Sequence, residues 1–150
     1  MVIGLCCDHA GFNLKEHIKN MLTAEGYEYK DYGTYSSDSC DYPDFAHKLG
    51  EAIENGEVYP GIAVCGTGNG IGMTLNKHQK VRAALCWSEE ITTLAREHND
   101  ANMMALGGRT IGPGLAVMIV DKFLNTDFSY EQRHQRRIDK ITEIEKKYNK

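Results

Sequence analysis

Cys65 ends a short apolar run, GIAVC, and is followed at once by Gly66, Thr67, Gly68, Asn69 and Gly70. A glycine-rich turn between a strand and a helix bares backbone N–H groups and lets a ligand approach the main chain closely. Such a cradle suits an anion, or an oxygen that gains negative charge during a reaction. A thiol at its mouth lies near the positive end of the following helix, which favours the thiolate. A thiolate can serve as nucleophile or as general base. The loop is neither a GxGxxG fingerprint nor a Walker loop, so neither a dinucleotide nor a nucleoside triphosphate is indicated.

Other reactive side chains cluster at the ends of apolar runs. Asp8 and His9 follow VIGLCC, and His98 and Asn99 lie in REHNDAN, where a helix gives way to the last strand. Asp8, His9 and His98 read as residues of one rim, a setting for proton transfer or ligand contact. No His/Cys pair has a zinc-like spacing, so no metal is expected. Arg109 ends the fifth apolar run. Arg133 and Arg137, four apart, share one helix face, and with His134 and Arg136 they make the densest basic cluster of the chain. RHQRR reads either as a solvated basic face or as a phosphate site, since paired guanidinium groups fit phosphate. Cys6, Cys7, Cys40 and Cys86 read as inert core thiols.

The elements that must carry these residues alternate. Strands are expected at 2–7, 27–32, 61–65, 81–86 and 103–108. Helices are expected from about Asn13 to Gly26, over 42–56, through Met73–Lys77, after Ser88, and over 112–125. The final segment, 129–150, carries Ile138, Ile141, Ile144 and Tyr148 three to four apart and reads as an amphipathic helix. Alternation of this kind predicts an open parallel α/β sheet with helices on both faces. Ligands of such sheets bind at the carboxyl ends of the strands, which puts Cys7–His9, Cys65–Thr67, Cys86–Trp87 and Gly107–Arg109 in view.

The chain has 150 residues, 41% hydrophobic and 25% charged, with a net charge of −4. That is one ordinary globular domain, with no bulk attraction to nucleic acid or an anionic membrane. No apolar run approaches the roughly 18–20 residues of a membrane span. The first residues lack the basic and apolar regions of a signal peptide. Five cysteines without CxxC spacing fit reduced thiols and a cytoplasmic protein.

In order along residues 6–141 stand CDHAGFNLK, GTYSSDSCDYPDFA, CGTGNGIGM, RAALC, AREHNDANMMALGGRTIG and RHQRRIDKI. This set resembles the type B ribose-5-phosphate isomerase family, whose relatives include galactose-6-phosphate and allose-6-phosphate isomerases. The resemblance implies a Rossmann-like three-layer α/β/α fold with a five-stranded parallel sheet. It implies a homodimer or homotetramer with the active site between subunits, and neither metal nor cofactor. By motif, Cys65 matches the base that moves a proton between C1 and C2 of the open-chain sugar, and His98 the residue that helps open the ring. Gly66, Thr67, Gly68, Asn69 and Gly70 match the loop that holds the enediolate oxygens. Asp8, His9 and Tyr42 match sugar contacts. Asn99, Arg109, Arg133 and Arg137 match substrate and phosphate contacts, some reaching a neighbouring subunit. The C-terminal helix, about 130–148, is expected to pack on that neighbour. Relatives commonly approach this helix through FxGGRH, where this chain has FSYEQRH. The activity implied is interconversion of ribose 5-phosphate and ribulose 5-phosphate. The alternatives are a hexose-6-phosphate isomerase, or a sugar-phosphate sensor that needs neither Cys65 nor His98.

Overall fold

The computed structural model describes residues 1–148; the last two residues of the expected C-terminal helix lie outside the described residues. Strand and helix alternate as β1 (Val2–Cys7), α1 (Phe12–Ala24), β2 (Glu28–Asp31), α2 (Tyr42–Glu54), β3 (Gly61–Cys65), α3 (Asn69–Leu75), β4 (Ala83–Leu85), α4 (Glu89–Asn99), β5 (Met103–Gly107), α5 (Pro113–Asn125) and α6 (Gln132–Tyr148). The five strands are parallel, in the order β2-β1-β3-β5-β4. The central strands β3 and β5 are buried throughout, which is why they read as unbroken apolar runs rather than alternating ones.

One core lies between the sheet and α1, α4 and α5, built on Ile3, Leu5, Ile18, Ile62, Leu106 and Ile119. The other lies between the sheet and α2 and α3, built on Leu49, Ile53, Ala63, Cys65, Ile71 and Met103. α1 and α3 therefore leave neighbouring strands, β1 and β3, toward opposite faces. A crevice opens between the carboxyl ends of those strands, the place where ligands bind in sheets of this kind.

Edge strand β4 is shorter than the run VRAALC suggests. The Arg82 N–H donates to the Asn102 side chain (2.9 Å) and the Ala83 N–H to the Asn76 side chain (2.8 Å). Amide side chains there take the place of a strand partner. Ser88 caps α4 as expected, accepting the Ile91 N–H at 3.2 Å, with Glu89 and Glu90 in the first turn. α6 buries only His134 and Ile138. Ile141, Ile144 and Tyr148 are 49%, 61% and 72% exposed, so most of its apolar stripe faces outward.

Lys15 is fully buried in α1. Its ammonium donates to Asp31 Oδ1 at 2.7 Å and to the Thr34 carbonyl at 2.5 Å. Burial opposes the charge on Asp31, but hydrogen bonds from Lys15, the Gly33 N–H and Lys19 overcome it and hold the carboxyl below the usual carboxylate range. A carboxylate with a depressed folded-state pKa contributes stability above its unfolded value, about 3.9, and that stability is lost as pH falls through the folded value. Asp31→Asn is therefore expected to destabilise the protein at neutral pH by about 3–5 kcal/mol, the usual cost of stranding a buried charge. It should also flatten the loss of stability below about pH 4. Denaturant melts at neutral and acid pH check both, and an unchanged acid slope would contradict this role.

Candidate active site

The carboxyl edge of the sheet carries most of the expected site. Cys65 is the last residue of β3 and lies buried on the α2/α3 side. Gly68 takes a left-handed φ of +85° at the N-cap of α3, a conformation that favours glycine. That turn brings the Gly68 N–H onto the Cys65 sulfur at 3.1 Å. The Asn69 N–H is taken by Thr67 Oγ1 at 3.2 Å. A helix start leaves its first N–H groups without internal partners. With two of them used, Gly66, Thr67, Gly70 and Ile71 are the loop's open N–H donors among the described residues. They follow the single thiol of the loop in sequence, a set of donors suited to a developing oxyanion beside a base.

Burial raises the pKa of three of the other thiols. It pushes Cys7 up to about 12 and Cys86 to about 11, and Cys6 well above an ordinary thiol. These three are buried core residues, as expected. Cys40 is not. It is half-buried in the loop between β2 and α2, and its backbone N–H donates to His9 Nδ1 at 3.2 Å. The loop is polar and mostly exposed, so nothing draws Cys40 into a core.

Asp8 and His9 follow β1. Asp8 is buried, and its Oδ1 accepts the Gly11 N–H at 3.0 Å, so one oxygen is committed to the turn into α1. The Arg109 N–H donates to the Gly66 carbonyl at 2.9 Å, and its guanidinium lies beside Gly66. Tyr42 opens α2, and its ring lies directly over Gly70, where any β-carbon would collide with it. Gly70→Ala is accordingly expected to push the Tyr42 ring off the loop, raising KM for a sugar ligand several-fold with little loss of stability. A tyrosine-to-phenylalanine change at 42 in the Gly70→Ala background should then cost no more, and steady-state kinetics on the pair checks this.

His98 and Asn99 do not join this group. α4 runs antiparallel to the strands, so its C-terminal end lies at the amino edge of the sheet, opposite Cys65. The expectation that Asp8, His9 and His98 share one rim is corrected on that ground. α6 packs against α4 there, and the His134 ring stacks on His98 with centroids 4.1 Å apart and planes 18° apart. His134 is buried; its Nε2 lies 3.1 Å from the Glu131 carboxylate but is not aligned to hydrogen-bond with it. Burial first, then His98, Arg133 and Arg137, push the His134 pKa down against Glu131, which keeps the imidazole neutral at neutral pH. Arg133 pairs with Glu131 at 3.3 Å, and Arg137 is exposed one turn on. Arg136 lies on another strip of α6, with Gln132, Gln135 and Asp139.

The residues thus form two candidate half-sites on opposite edges. One holds Asp8, His9, Tyr42, Cys65, the glycine loop and Arg109. The other holds His98, Asn99, Arg133 and Arg137, with His134 behind His98. The stacked pair and the Cys40–His9 contact are additions that sequence reasoning missed. The only trace of the first was His134 within RHQRR; nothing in the sequence marked the second.

The chain is similar to known proteins along nearly its whole length. The model of the ribose/galactose isomerase family matches residues 3–141. The chain belongs to that family. It is 44% identical over 147 residues to ribose-5-phosphate isomerase B of Escherichia coli, covering 98% of each chain. The solved ribose-5-phosphate isomerase B of Clostridium thermocellum superposes with a TM-score of 0.96 at 49% identity over 99% of both chains. That of Mycoplasma genitalium, solved with bound ribulose 5-phosphate, superposes with a TM-score of 0.90 at 40% identity over 97% of this chain and 96% of that one. Membership in the family makes the protein an aldose–ketose isomerase, and the three-layer fold with its five-stranded parallel sheet is the family's own.

Proposed function

We propose that the protein interconverts ribose 5-phosphate and ribulose 5-phosphate, with Cys65 as the base and without metal or cofactor. The observation that carries this reading is the Cys65 sulfur, held by the Gly68 N–H among the open N–H donors of the glycine loop. The likeness of the chain, over nearly its full length, to proteins named for this reaction supports it.

The proposed reaction runs as follows. His98 assists opening of the furanose ring. The Cys65 thiolate removes the proton from C2 of the open-chain aldose. The N–H groups of Gly66, Thr67 and Gly70 stabilise the enediolate oxygens as charge develops. The thiol then returns the proton to C1 while the O2 hydroxyl proton passes to O1, giving the ketose. Asp8, His9, Tyr42 and Asn99 hold the sugar hydroxyls, while Arg137, Arg133 and Arg109 bind the phosphate and fix the reacting carbons near the base.

The half-sites meet only if two copies of the chain come together. We propose a homodimer, or a tetramer built from it, in which each site takes its base from one chain and its ring-opening histidine from the partner. The outward apolar stripe of α6 supports this. It flanks a groove of about 510 Å³, lined in part by Val81, Ala83, Ala84, Ile141, Ile144 and Tyr148, a surface suited to burial against the partner. No helix among the described residues is long and apolar enough to cross a membrane. The free thiols fit the reducing cytoplasm, where we place the enzyme.

The test is an isomerase assay on ribose 5-phosphate, allose 6-phosphate and galactose 6-phosphate, each with and without chelator. Preferred, chelator-insensitive turnover of the pentose is expected. Preference for a hexose phosphate would reassign the substrate, and ligand binding without turnover of any sugar would make the protein a sensor.

A further inference from the structure

We propose that Lys15, which belongs to neither half-site, is a positioning residue: its buried ammonium anchors the loop after β2 so that the Cys40 N–H sets the tautomer of His9. The proposal rests on His9 being a sugar contact, as proposed above.

The loop is held at two ends and bare between them. At its start, the Cys7 N–H donates to the Gly33 carbonyl at 2.7 Å and the Thr34 N–H to the Cys7 carbonyl at 2.8 Å. These bonds tie it to the end of β1, one residue before Asp8. Lys15 locks that junction. Its ammonium reaches Asp31 just before the loop and the Thr34 carbonyl within it, and lies 5.4 Å from the centre of the Tyr35 ring. Asp31 in turn accepts the Gly33 N–H at 2.9 Å. Ser36, Ser37, Asp38 and Ser39 are exposed. At the far end the Cys40 N–H donates to His9 Nδ1, and Tyr42 follows over Gly70.

A donated N–H requires a lone pair on Nδ1. Neutral His9 therefore carries its proton on Nε2, which makes that nitrogen a donor toward a sugar oxygen. If the loop slid, Nδ1 would lose its partner and both tautomers would be populated. A lysine is almost never fully buried unless its charge is held. Here two of the groups that hold it lead into the loop: Asp31, the last residue of β2, and the Thr34 carbonyl.

The experiment reads His9 directly by ¹⁵N NMR of the imidazole, assigned by loss of its signals in His9→Gln. It is joined to hydrogen exchange of the Cys40 amide and to steady-state kinetics. The variants are Lys15→Met and, in case one stranded carboxylate prevents folding, Lys15→Met/Asp31→Asn, which removes both charges. Leu22→Ala, in the core of α1, controls for destabilisation alone. In the wild type the Nε2–H tautomer is expected. In a folded Lys15 variant, mixed tautomers, at least tenfold faster exchange at Cys40, and a higher KM for the sugar phosphate are expected, with none of these in Leu22→Ala. A folded Lys15 variant that keeps one tautomer and a protected Cys40 amide would overturn the proposal, whatever its activity. So would the same NMR changes in Leu22→Ala. If the wild type turned over no sugar phosphate, the proposed function would fall, while the tautomer and exchange would still decide whether Lys15 positions His9.

Discussion

Replacing Cys65 with alanine is expected to lower turnover about a hundred- to ten-thousand-fold, the usual loss on removing a general base. The fold should be little changed. The thiol ends a strand whose remaining residues are buried, and the Gly68 N–H that it accepts can turn to water or ligand at the mouth of the loop. Binding of inorganic phosphate should persist, because Arg133 and Arg137 belong to the other half-site and Arg109 is left in place. Cys65→Ser should be nearly as poor, since a hydroxyl ionises far less readily than a thiol. Pre-steady-state exchange of the C2 proton with solvent reads the step itself. Wild-type exchange in Cys65→Ala would remove the thiol from the chemistry.

Arg137→Ala is expected to weaken both substrate and inorganic phosphate by about 1.5–3 kcal/mol, the range for one charge-assisted contact. That corresponds to a loss of roughly ten- to more than a hundredfold in affinity. Turnover should fall as well, because binding energy spent at the phosphate positions the distant C1 and C2. Unphosphorylated ribose should be a poor substrate for the wild type and should lose little more in the variant. Comparing the two proteins on the two sugars separates a phosphate contact from a structural role. A similar fold-loss on both sugars would mean that Arg137 acts through packing or assembly, and Arg133 would be the next candidate. Arg136, on its separate strip of α6, would not.

The two edges of the sheet differ in how much of them the sequence reveals. The carboxyl edge was legible because strand, turn and chemistry lie together in the chain. GIAVC followed by glycines says at once where the strand stops, which way the N–H groups face and which thiol meets them. β1 with Asp8 and His9 reads the same way. The amino edge was not legible from the residues alone. His98 ends an element as Cys65 does, but it ends a helix, and helices return against the strand direction. The same pattern of a reactive residue at an element's end therefore means opposite edges. The sheet order, with β5 inserted between β3 and β4, also has no local mark, since any parallel order satisfies the same apolar runs. Lys15 escaped notice because a lysine in an amphipathic helix ordinarily reads as solvent-facing. Only the folded chain shows Asp31 and Thr34 converging on it. Cys40 was misread because residue type favours burial for cysteine, whereas its loop is polar.

The division of the site between two chains is tested most directly by mixing two inactive proteins. Cys65→Ala retains an intact His98, and His98→Asn retains an intact Cys65. Each alone should turn over ribose 5-phosphate poorly. After the two are unfolded together and refolded in equal amounts, random pairing makes about half of the dimers mixed. One of the two sites in each mixed dimer then unites Cys65 from one chain with His98 from the other. The account predicts recovery of about a quarter of wild-type turnover, with wild-type KM. Activity no greater than the average of the two parents, in a sample shown to contain mixed dimers, would contradict it.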